Sequence, residues 1–276
     1  MIPAPFDYEV ADSVESAIEL LGSRSDAKLL AGGHSLIPLL RLRVTRPSLL
    51  VDVGRLNGPL RSVRDDGDRL TIGALARYAD LERDPLLLEH NPLLAHVAGL
   101  VGDPQVRHRG TIGGSAAHGD PASDIPTALV ALEAELVARG PDGERSWEAG
   151  DFFRSVFQTA LGPQDVLTEI RVPKLGDAGW SYLKFTRRAQ DWATVGVAAL
   201  VSGGDRATVA LTNMGPTPLR AFGVEEELRN GAPIDVAAGV AADGTEPPDD
   251  TFGSAEYRRE LSKTLVRRAL EEALRR

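Results

Sequence analysis

The stretch Ala31-Gly32-Gly33-His34-Ser35-Leu36 joins a Gly-Gly pair to a histidine and a hydroxyl side chain. The apolar run at residues 28–31 predicts a strand before it, and residues 36–42, with Pro38, suit the first turn of a helix after it. Because glycine has no Cβ, such a loop can turn several backbone N–H groups toward one point and so bind a phosphate or pyrophosphate. A tight turn without a ligand is the alternative, and the pair alone does not decide between the two.

A second Gly-Gly pair lies eighty residues further on, in Thr111-Ile112-Gly113-Gly114-Ser115-Ala116. Two phosphate-type loops in one chain favour an extended dinucleotide that is held from both sides. Asp124 follows this pair, and an acidic residue accepts hydrogen bonds from ribose hydroxyls in other dinucleotide sites. Taken alone, Asp120 and Asp124 are better explained as caps of turns and helices.

Composition excludes several classes of protein. The 276 residues are 42% hydrophobic and 26% charged, which is typical of a soluble globular protein of one large or two ordinary domains. A net charge of −9 argues against a nucleic-acid surface, although Arg41, Arg43, Arg46 and Arg107-His108-Arg109 lie near the two loops. The sequence has no long apolar run and no signal-peptide pattern at its start, so we expect a cytoplasmic protein.

Cysteine is absent, which excludes disulfides, a thiol nucleophile and iron–sulfur clusters with thiolate ligands in this chain. The five histidines form no familiar zinc spacing, so no metal site is predicted. The sequence also lacks a G-x-G-x-x-G fingerprint after a strand, a Walker lysine and a G-x-S-x-G elbow. We therefore assign no catalytic residue and expect a protein whose cofactor carries the chemistry.

The chain taken in order predicts an α+β fold. Asp12-Ser13-Val14-Glu15 predicts a capping box with Asp12 as the N-cap, and Gly22 ends the helix that follows. Further strands are expected at residues 49–53, 69–72, 135–138, 145–147, 166–172, 182–185, 194–201 and 207–213, the last three separated by Gln190-Asp191 and by the turn at 203–205. Helices are expected at residues 75–81, 91–100, 127–134, 219–228, weakly at 237–242, and from 255 to the end, where Leu261, Leu265, Ala269 and Ala273 form one apolar stripe.

Several motifs in this order resemble the FAD-binding medium subunits of molybdenum hydroxylases, the xanthine dehydrogenase family, and within it the type found in aerobic carbon monoxide dehydrogenases. The likeness covers almost the whole chain. It rests on the two Gly-Gly stretches, Asp103-Pro104-Gln105-Val106-Arg107, Gly119-Asp120-Pro121 with Asp124, Lys184-Phe185-Thr186-Arg187-Arg188, Asp191-Trp192-Ala193-Thr194, Leu211-Thr212-Asn213-Met214 and Ser254-Ala255-Glu256-Tyr257-Arg258.

The resemblance implies two domains. Residues 1–176 are expected to form a two-lobed FAD-binding domain of the vanillyl-alcohol-oxidase (PCMH) type, with lobes near residues 1–55 and 56–176. Residues 177–276 are expected to form a C-terminal α+β domain of the carbon monoxide dehydrogenase flavoprotein type, with a three-stranded antiparallel sheet and helices.

The resemblance also implies the residues that contact FAD. Residues 29–36 are expected to wrap the pyrophosphate, residues 111–115 to form a second clamp, and Asp124 to bind the adenosine side. Trp192 would cover one face of the flavin ring, with Lys184 near it and Leu167 or Thr168 touching the cofactor from a strand. The implied set is Leu29, Leu30, Ala31, Gly32, Gly33, His34, Ser35, Leu36, Val101, Thr111, Ile112, Gly113, Gly114, Ser115, Asp124, Leu167, Thr168, Lys184 and Trp192.

Some of these assignments have alternatives or departures. On the residues alone, Trp192 is equally typical of an ordinary core position, and a lone strand lysine such as Lys184 usually points to solvent. The family often has asparagine where this chain has Ser115. A side chain placed at Gly33 or Gly114 is expected to occupy the position of the phosphate.

The implied function is electron transfer. A large subunit with a molybdenum cofactor would oxidise the substrate, a small subunit with two [2Fe–2S] clusters would relay electrons, and the FAD of this chain would pass them to a final acceptor. The complex is expected to be a dimer of heterotrimers, and a quinone acceptor would bring it to a membrane surface. The alternatives are a free-standing PCMH-type flavin oxidase or dehydrogenase and a non-catalytic flavin-binding protein.

Overall fold

The computed structural model describes residues 1–203 and 206–276, so part of the predicted turn at 203–205 lies outside the described residues. The strands are β1 (Asp7–Val10), β2 (Lys28–Leu30), β3 (Leu49–Asp52), β4 (Val63–Asp65), β5 (Arg69–Gly73), β6 (Glu135–Gly140), β7 (Gly143–Glu148), β8 (Phe153–Ser155), β9 (Gln158–Thr159), β10 (Val166–Pro173), β11 (Gly179–Phe185), β12 (Val195–Ser202), β13 (Arg206–Thr212) and β14 (Leu219–Arg220). The helices are α1 (Val14–Gly22), α2 (Leu36–Leu42), α3 (Tyr78–Leu81), α4 (Pro85–His90), α5 (Pro92–Leu100), α6 (Pro104–Arg107), α7 (Ile112–His118), α8 (Asp124–Ala131), α9 (Ala149–Phe152), α10 (Phe222–Arg229), α11 (Ile234–Gly239) and α12 (Ala255–Ala273), with a 3₁₀ turn at Gly58–Arg61.

A small parallel sheet of order β1-β3-β2 opens the chain. Its centre is the predicted strand β3, in which Leu49, Leu50 and Val51 are buried, and α1 packs against it. The predicted N-cap of α1 is wrong: Ser13, not Asp12, accepts the N–H of Ser16 at 3.0 Å. The strand β1 was not among the predicted strands: Tyr8 and Val10 alternate with Asp7 and Glu9, but the stretch is only four residues long and all of them are exposed.

A five-stranded antiparallel sheet of order β4-β5-β10-β6-β7 forms the middle of the chain. The predicted hairpin is confirmed, since β6 and β7 pair around the turn from Gly140 to Gly143. The largest apolar core joins β5, β6 and β10 of this sheet to helices α5, α7 and α8. This packing brings the start of α7, the second Gly-Gly pair, close to the end of β5.

The C-terminal sheet is antiparallel and has the order β11-β12-β13-β14. The expected three strands are present, but Leu219 and Arg220 add a fourth strand where a helix was predicted to begin, and α10 starts at Phe222 instead. The predicted apolar stripe of α12 is largely confirmed, because Leu265, Ala269 and Ala273 are buried against this sheet.

Both faces of this C-terminal sheet are covered. On one face Val197, Val209 and Leu211 belong to the core that includes α12. On the other face Ala198 and Ala210 belong to the core of the middle sheet, and α8 contacts both β12 and β13. The side chains at the end of β11 are therefore held against α8, whose first residue is Asp124.

Two other expectations needed correction. The predicted helix at 75–81 shortens to α3, and the predicted helix at 127–134 begins earlier, as α8, because Asp124 already has helical geometry. The described residues contain no helix that is both long and apolar enough to cross a membrane.

Candidate cofactor site

The two Gly-Gly segments meet in the folded chain. A Cβ placed on Gly32 would lie 2.3 Å from the carbonyl oxygen of Arg109 and 2.9 Å from the Cα of Gly110. Real Cβ atoms do not approach other atoms so closely, so only glycine fits at position 32. We call this line of contact between residues 31–36 and 109–115 the glycine seam. The prediction that both loops face a common region is therefore consistent with their positions.

The first loop presents backbone donors that the protein does not use. Within residues 1–203 and 206–276, no acceptor is found for the five consecutive N–H groups from Gly32 to Leu36, and the next N–H, that of Ile37, bonds the Gly33 carbonyl at 2.9 Å. The backbone of Gly33 is left-handed, with φ at +79°, and Ser35 makes no capping bond at the start of α2. Unused N–H groups on a partly exposed loop are an anion-binding arrangement, which fits the pyrophosphate of a dinucleotide.

The second segment is built differently. It is the first turn of α7, not a loop, and Thr111 is its N-cap. Its N–H groups are already bonded: Ile112 to Ala76 O at 3.0 Å, Gly113 to Ala74 O at 2.9 Å, and Gly114 to Thr111 Oγ1 at 3.1 Å. The side chains of Thr111 and Ser115 therefore carry the polar groups that this segment can offer to a ligand. A clamp by residues 111–115 stays a prediction, and the N–H groups of residues 112–115 already have acceptors within the protein.

The expected effect of side chains in the two pairs also changes. A Cβ at Gly33 would meet Cδ1 of Ile37 at 2.6 Å, and a Cβ at Gly114 would meet Oγ1 of Thr111 at 2.7 Å. Both directions point at the protein itself and not into an open cleft. A side chain at Gly33 would therefore disturb the first loop, and one at Gly114 would disturb the N-cap contact of α7 with Thr111, whereas occupation of the phosphate position stays a prediction.

Asp124 lies at the start of α8 and is buried. The hydroxyl of Tyr182 donates to its Oδ1 at 2.8 Å, and Nζ of Lys184 donates to its Oδ2 at 2.8 Å. Burial raises the pKa of Asp124, while the charge and hydrogen bond of Lys184 act in the opposite direction. Each carboxylate oxygen thus has a protein partner, and the expected contact with adenosine stays a prediction.

Lys184 does not point to solvent. Its side chain is 9% exposed, and Nζ also lies 3.4 Å from the carbonyl of Leu100, the residue before Val101. The carbonyl of Val101 in turn accepts a bond from Arg107 at 3.2 Å, so this segment is held from two sides. Lys184 therefore connects the C-terminal sheet to Asp124 and to the segment that includes Val101.

The remaining predicted residues fall into two groups. Trp192 is 62% exposed, so its interpretation as a core residue is wrong. Leu167 and Thr168 are buried in β10 at a bulge, where the Thr168 carbonyl accepts the N–H of Ala74, whose own carbonyl holds Gly113. These two residues support the second segment from behind, and their contact with a cofactor stays a prediction.

Sequence reasoning missed two of the arginines near the seam. Arg77 forms a backbone bridge with Thr111. Arg61 donates from Nε to the Leu56 carbonyl at 2.7 Å and from Nη2 to the carbonyl of Gly54. Burial lowers the pKa of Arg61, and the charges of Arg77 and Arg109 lower it further while that of Asp80 opposes them, so both of these cations act on Arg61. Only Arg109 was part of a basic run in the sequence, and folding brings the other two to it.

The chain matches two family models in succession. Residues 4–175 match the FAD binding domain in molybdopterin dehydrogenase, and residues 180–273 match the CO dehydrogenase flavoprotein C-terminal domain.

Similar proteins extend over the same length. The carbon monoxide dehydrogenase medium chain of Hydrogenophaga pseudoflava is 43% identical, covering 99% of this chain and 98% of that protein. The 6-hydroxypseudooxynicotine dehydrogenase complex subunit alpha of Paenarthrobacter nicotinovorans is 39% identical, over 100% and 97%. The solved structure of the Hydrogenophaga pseudoflava carbon monoxide dehydrogenase that lacks the Mo-pyranopterin moiety superposes with a TM-score of 0.95 at 44% identity, over 100% of this chain and 99% of the other.

Proteins that are this similar over nearly their full lengths share more than a fold with this chain. The chain therefore belongs to the family of FAD-binding subunits of molybdopterin dehydrogenases that carry a CO dehydrogenase flavoprotein C-terminal domain.

Proposed function

We propose that this chain is the FAD-carrying, electron-transferring subunit of a molybdenum hydroxylase complex, an oxidoreductase, with carbon monoxide dehydrogenase as the specific candidate. The observation that carries the proposal is the run of unused N–H groups from Gly32 to Leu36 at the glycine seam, in a chain of this family. Bound FAD supplies the exchange between one-electron and two-electron chemistry.

The residues of this chain bind and orient the cofactor. The N–H groups of residues 32–36 would hold the pyrophosphate, and the hydroxyls of Thr111 and Ser115 would contact it from the other side of the seam. Trp192 would cover one face of the flavin ring. Residues 29–31, Val101, Asp124, Leu167 or Thr168, and Lys184 complete the proposed contacts. We also propose the division into residues 1–176 and 177–276, with lobes near 1–55 and 56–176.

The proposed partners are a large subunit with the molybdenum cofactor and a small subunit with [2Fe–2S] clusters. The lack of cysteine in this chain supports the assignment of the clusters to another subunit. A dimer of heterotrimers in the cytoplasm, with membrane contact through a quinone acceptor, is the finer form of this proposal. The relatives named above act on different substrates according to their names, although the matched subunits all resemble this one. We therefore propose that the large subunit determines the substrate of the complex.

The test compares the full chain alone with the chain co-purified with its partner subunits. Each sample is analysed for bound FAD and then mixed with carbon monoxide, while the flavin absorbance is followed. We expect FAD in the complex, and reduction of the flavin only when all three subunits are present. Substrate turnover by the chain alone would favour the free-standing oxidase. A complex without FAD, even when FAD is added in excess, would contradict flavin binding altogether.

A further inference from the structure

The loop between β11 and β12 changes from exposed to buried within one residue. Trp192 is 62% exposed, whereas Ala193 and Thr194 are 2% and 1% exposed. The loop closes at its base through the Thr194 N–H, which donates to the Phe185 carbonyl at 2.8 Å. What holds the two carbonyls after Trp192 therefore constrains the backbone that carries that side chain.

Asn213 holds both of these carbonyls. Its side-chain amide donates to the carbonyl of Ala193 at 2.8 Å and to that of Thr194 at 3.4 Å. Its backbone N–H donates at 2.9 Å to the carbonyl of Pro121, in the Gly-Asp-Pro motif that precedes α8. Asn213 thus joins the Trp192 loop to the part of the chain that leads to Asp124.

The backbone of Asn213 indicates that this position is constrained. Its φ is +61°, in the left-handed region that non-glycine residues enter rarely, and asparagine enters more readily than most. Glycine would adopt the same backbone without strain, but it has no amide to donate. The amide, and not the backbone geometry, is thus what asparagine adds here.

A buried arginine supports the same carbonyl from a different element. Arg258 of α12 is fully buried, and its Nη1 donates to the carbonyl of Thr194. Its Nη2 pairs with Oδ1 of Asp250 at 2.6 Å, and its Nε donates to the carbonyl of Gly253 at 3.3 Å. The N-terminal side of the loop is tied to the same region, because Arg187 donates to the carbonyl of Thr251.

We infer that Asn213, supported by Arg258, is a positioning residue that fixes Trp192 in the orientation in which it covers the flavin. The inference rests on the proposed function, since Trp192 is assigned to the flavin there. It gives the Leu211–Met214 motif a role: the motif carries the amide that joins the Trp192 loop to the FAD-binding part of the chain.

The first test needs no flavin. Asn213→Gly keeps the backbone bond to Pro121 and removes the amide, and Arg258→Lys keeps the charge and loses the guanidinium fork. Under native conditions we expect trypsin to cleave the full chain after Arg188 about tenfold faster in each variant, because local opening governs cleavage of a folded chain. Asn230→Gly and Arg259→Lys, at exposed positions, serve as controls. Unchanged cleavage after Arg188 in both folded variants would overturn the inference.

The second test measures FAD affinity in the assembled complex by equilibrium dialysis. We expect Asn213→Gly to weaken binding by about tenfold in the wild-type background, and to have no effect when Trp192→Ala is already present. An equal loss in both backgrounds would mean that Asn213 acts through something other than Trp192, and would overturn the inference alone. Absence of FAD from the wild-type complex, or no effect of Trp192→Ala, would instead contradict the flavin assignment on which it rests.

Discussion

Lys184 and Asp124 form an ion pair whose side chains are only 9% and 6% exposed. Removing one partner of such a pair leaves an uncompensated charge in the interior. We therefore expect Lys184→Met to lower the free energy of unfolding by about 3–5 kcal/mol, measured by urea denaturation. The remaining carboxyl should also become harder to ionise, since burial already raises the pKa of Asp124 and Lys184 opposes that shift.

A second substitution separates the charge from the packing. Adding Asp124→Asn to Lys184→Met removes the unpaired charge and should recover a large part of the lost stability. The control is Lys263→Met, which breaks the exposed pair between Lys263 and Glu260, 2.7 Å apart, and should change stability by less than about 1 kcal/mol. Equal effects of the two lysine substitutions would show that the buried pair has no special weight.

Two histidines are expected to make the free energy of unfolding depend on pH. Burial lowers the pKa of His96, with Arg276 acting in the same direction and Glu272 opposing it. Burial also lowers the pKa of His118, opposed by Asp120. Below the ordinary histidine pKa of about 6.5, the unfolded chain therefore binds more protons than the folded chain, and the free energy of unfolding falls as the pH falls.

We expect the urea midpoint to fall between about pH 7 and about pH 5, and to fall less in the variant His96→Gln/His118→Gln. His108→Gln, at an exposed position, is the control and should follow the wild type. If the urea midpoint of the double variant falls with pH as steeply as that of the wild type, the two histidines are not the cause of the pH dependence.

At the scale of elements, the packing of α7 against the residue that follows β5 positions residues 111–115 of the glycine seam. A Cβ on Gly113 would lie 2.5 Å from Cβ of Ala74 and 2.6 Å from its carbonyl oxygen, which accepts the Gly113 N–H. Gly113→Ala must displace α7 from the end of β5, so we expect a loss of about 1–3 kcal/mol, measured by urea denaturation. We also expect weaker FAD binding, because Thr111 and Ser115 move with the helix.

Gly150 provides the matched control for this prediction. A Cβ there would meet no atom within 4 Å, and the residue lies in α9 with an ordinary backbone. Gly150→Ala should leave stability unchanged or slightly raise it, because alanine favours a helix over glycine. If Gly113→Ala is as stable as Gly150→Ala, the close contact between α7 and Ala74 is not what holds the seam.

The sequence predicted those elements whose residues carry their own signal. The buried apolar run of β3, the hairpin turn between β6 and β7, and the stripe of α12 are all local patterns, and the structure confirms them. The strands β1 and β14 were missed because an exposed edge strand or a two-residue strand exists only through the partner with which it pairs. Element boundaries shifted for a similar reason, as at α8.

The candidate site was predictable to a smaller degree. The Gly-Gly pairs are visible in the sequence, because close approach and left-handed backbone demand glycine at Gly32 and Gly33. Which N–H groups remain unused depends on partners such as Ala74 and Ala76, which no local pattern indicates. The partners of Asp124 come from a strand about sixty residues away, so its burial and bonds could not be inferred from spacing.

At the scale of the whole molecule, charge is distributed unevenly. The chain carries a net charge of −9, which as a whole repels an anionic dinucleotide. The charges of Arg77 and Arg109 both act on Arg61 near the seam, with Asp80 opposing them. A local group of cations in an acidic protein produces a positive electrostatic potential near the unused N–H groups of residues 32–36, and this potential attracts an anion.

This arrangement predicts a salt-dependent affinity for FAD that depends on arginines at the seam. Arg77→Gln and Arg109→Gln should each weaken FAD binding by about two- to threefold near physiological ionic strength, because partly exposed charges contribute no more than about 1 kcal/mol. The affinity of the wild-type complex, measured by equilibrium dialysis, should fall as salt is added, and less steeply in the double variant. Arg229→Gln, which changes the net charge equally at an exposed position of α10, should leave both the affinity and its salt dependence unchanged. If Arg229→Gln weakens binding as much as the seam variants do, the net charge of the molecule matters and the position of the arginines does not.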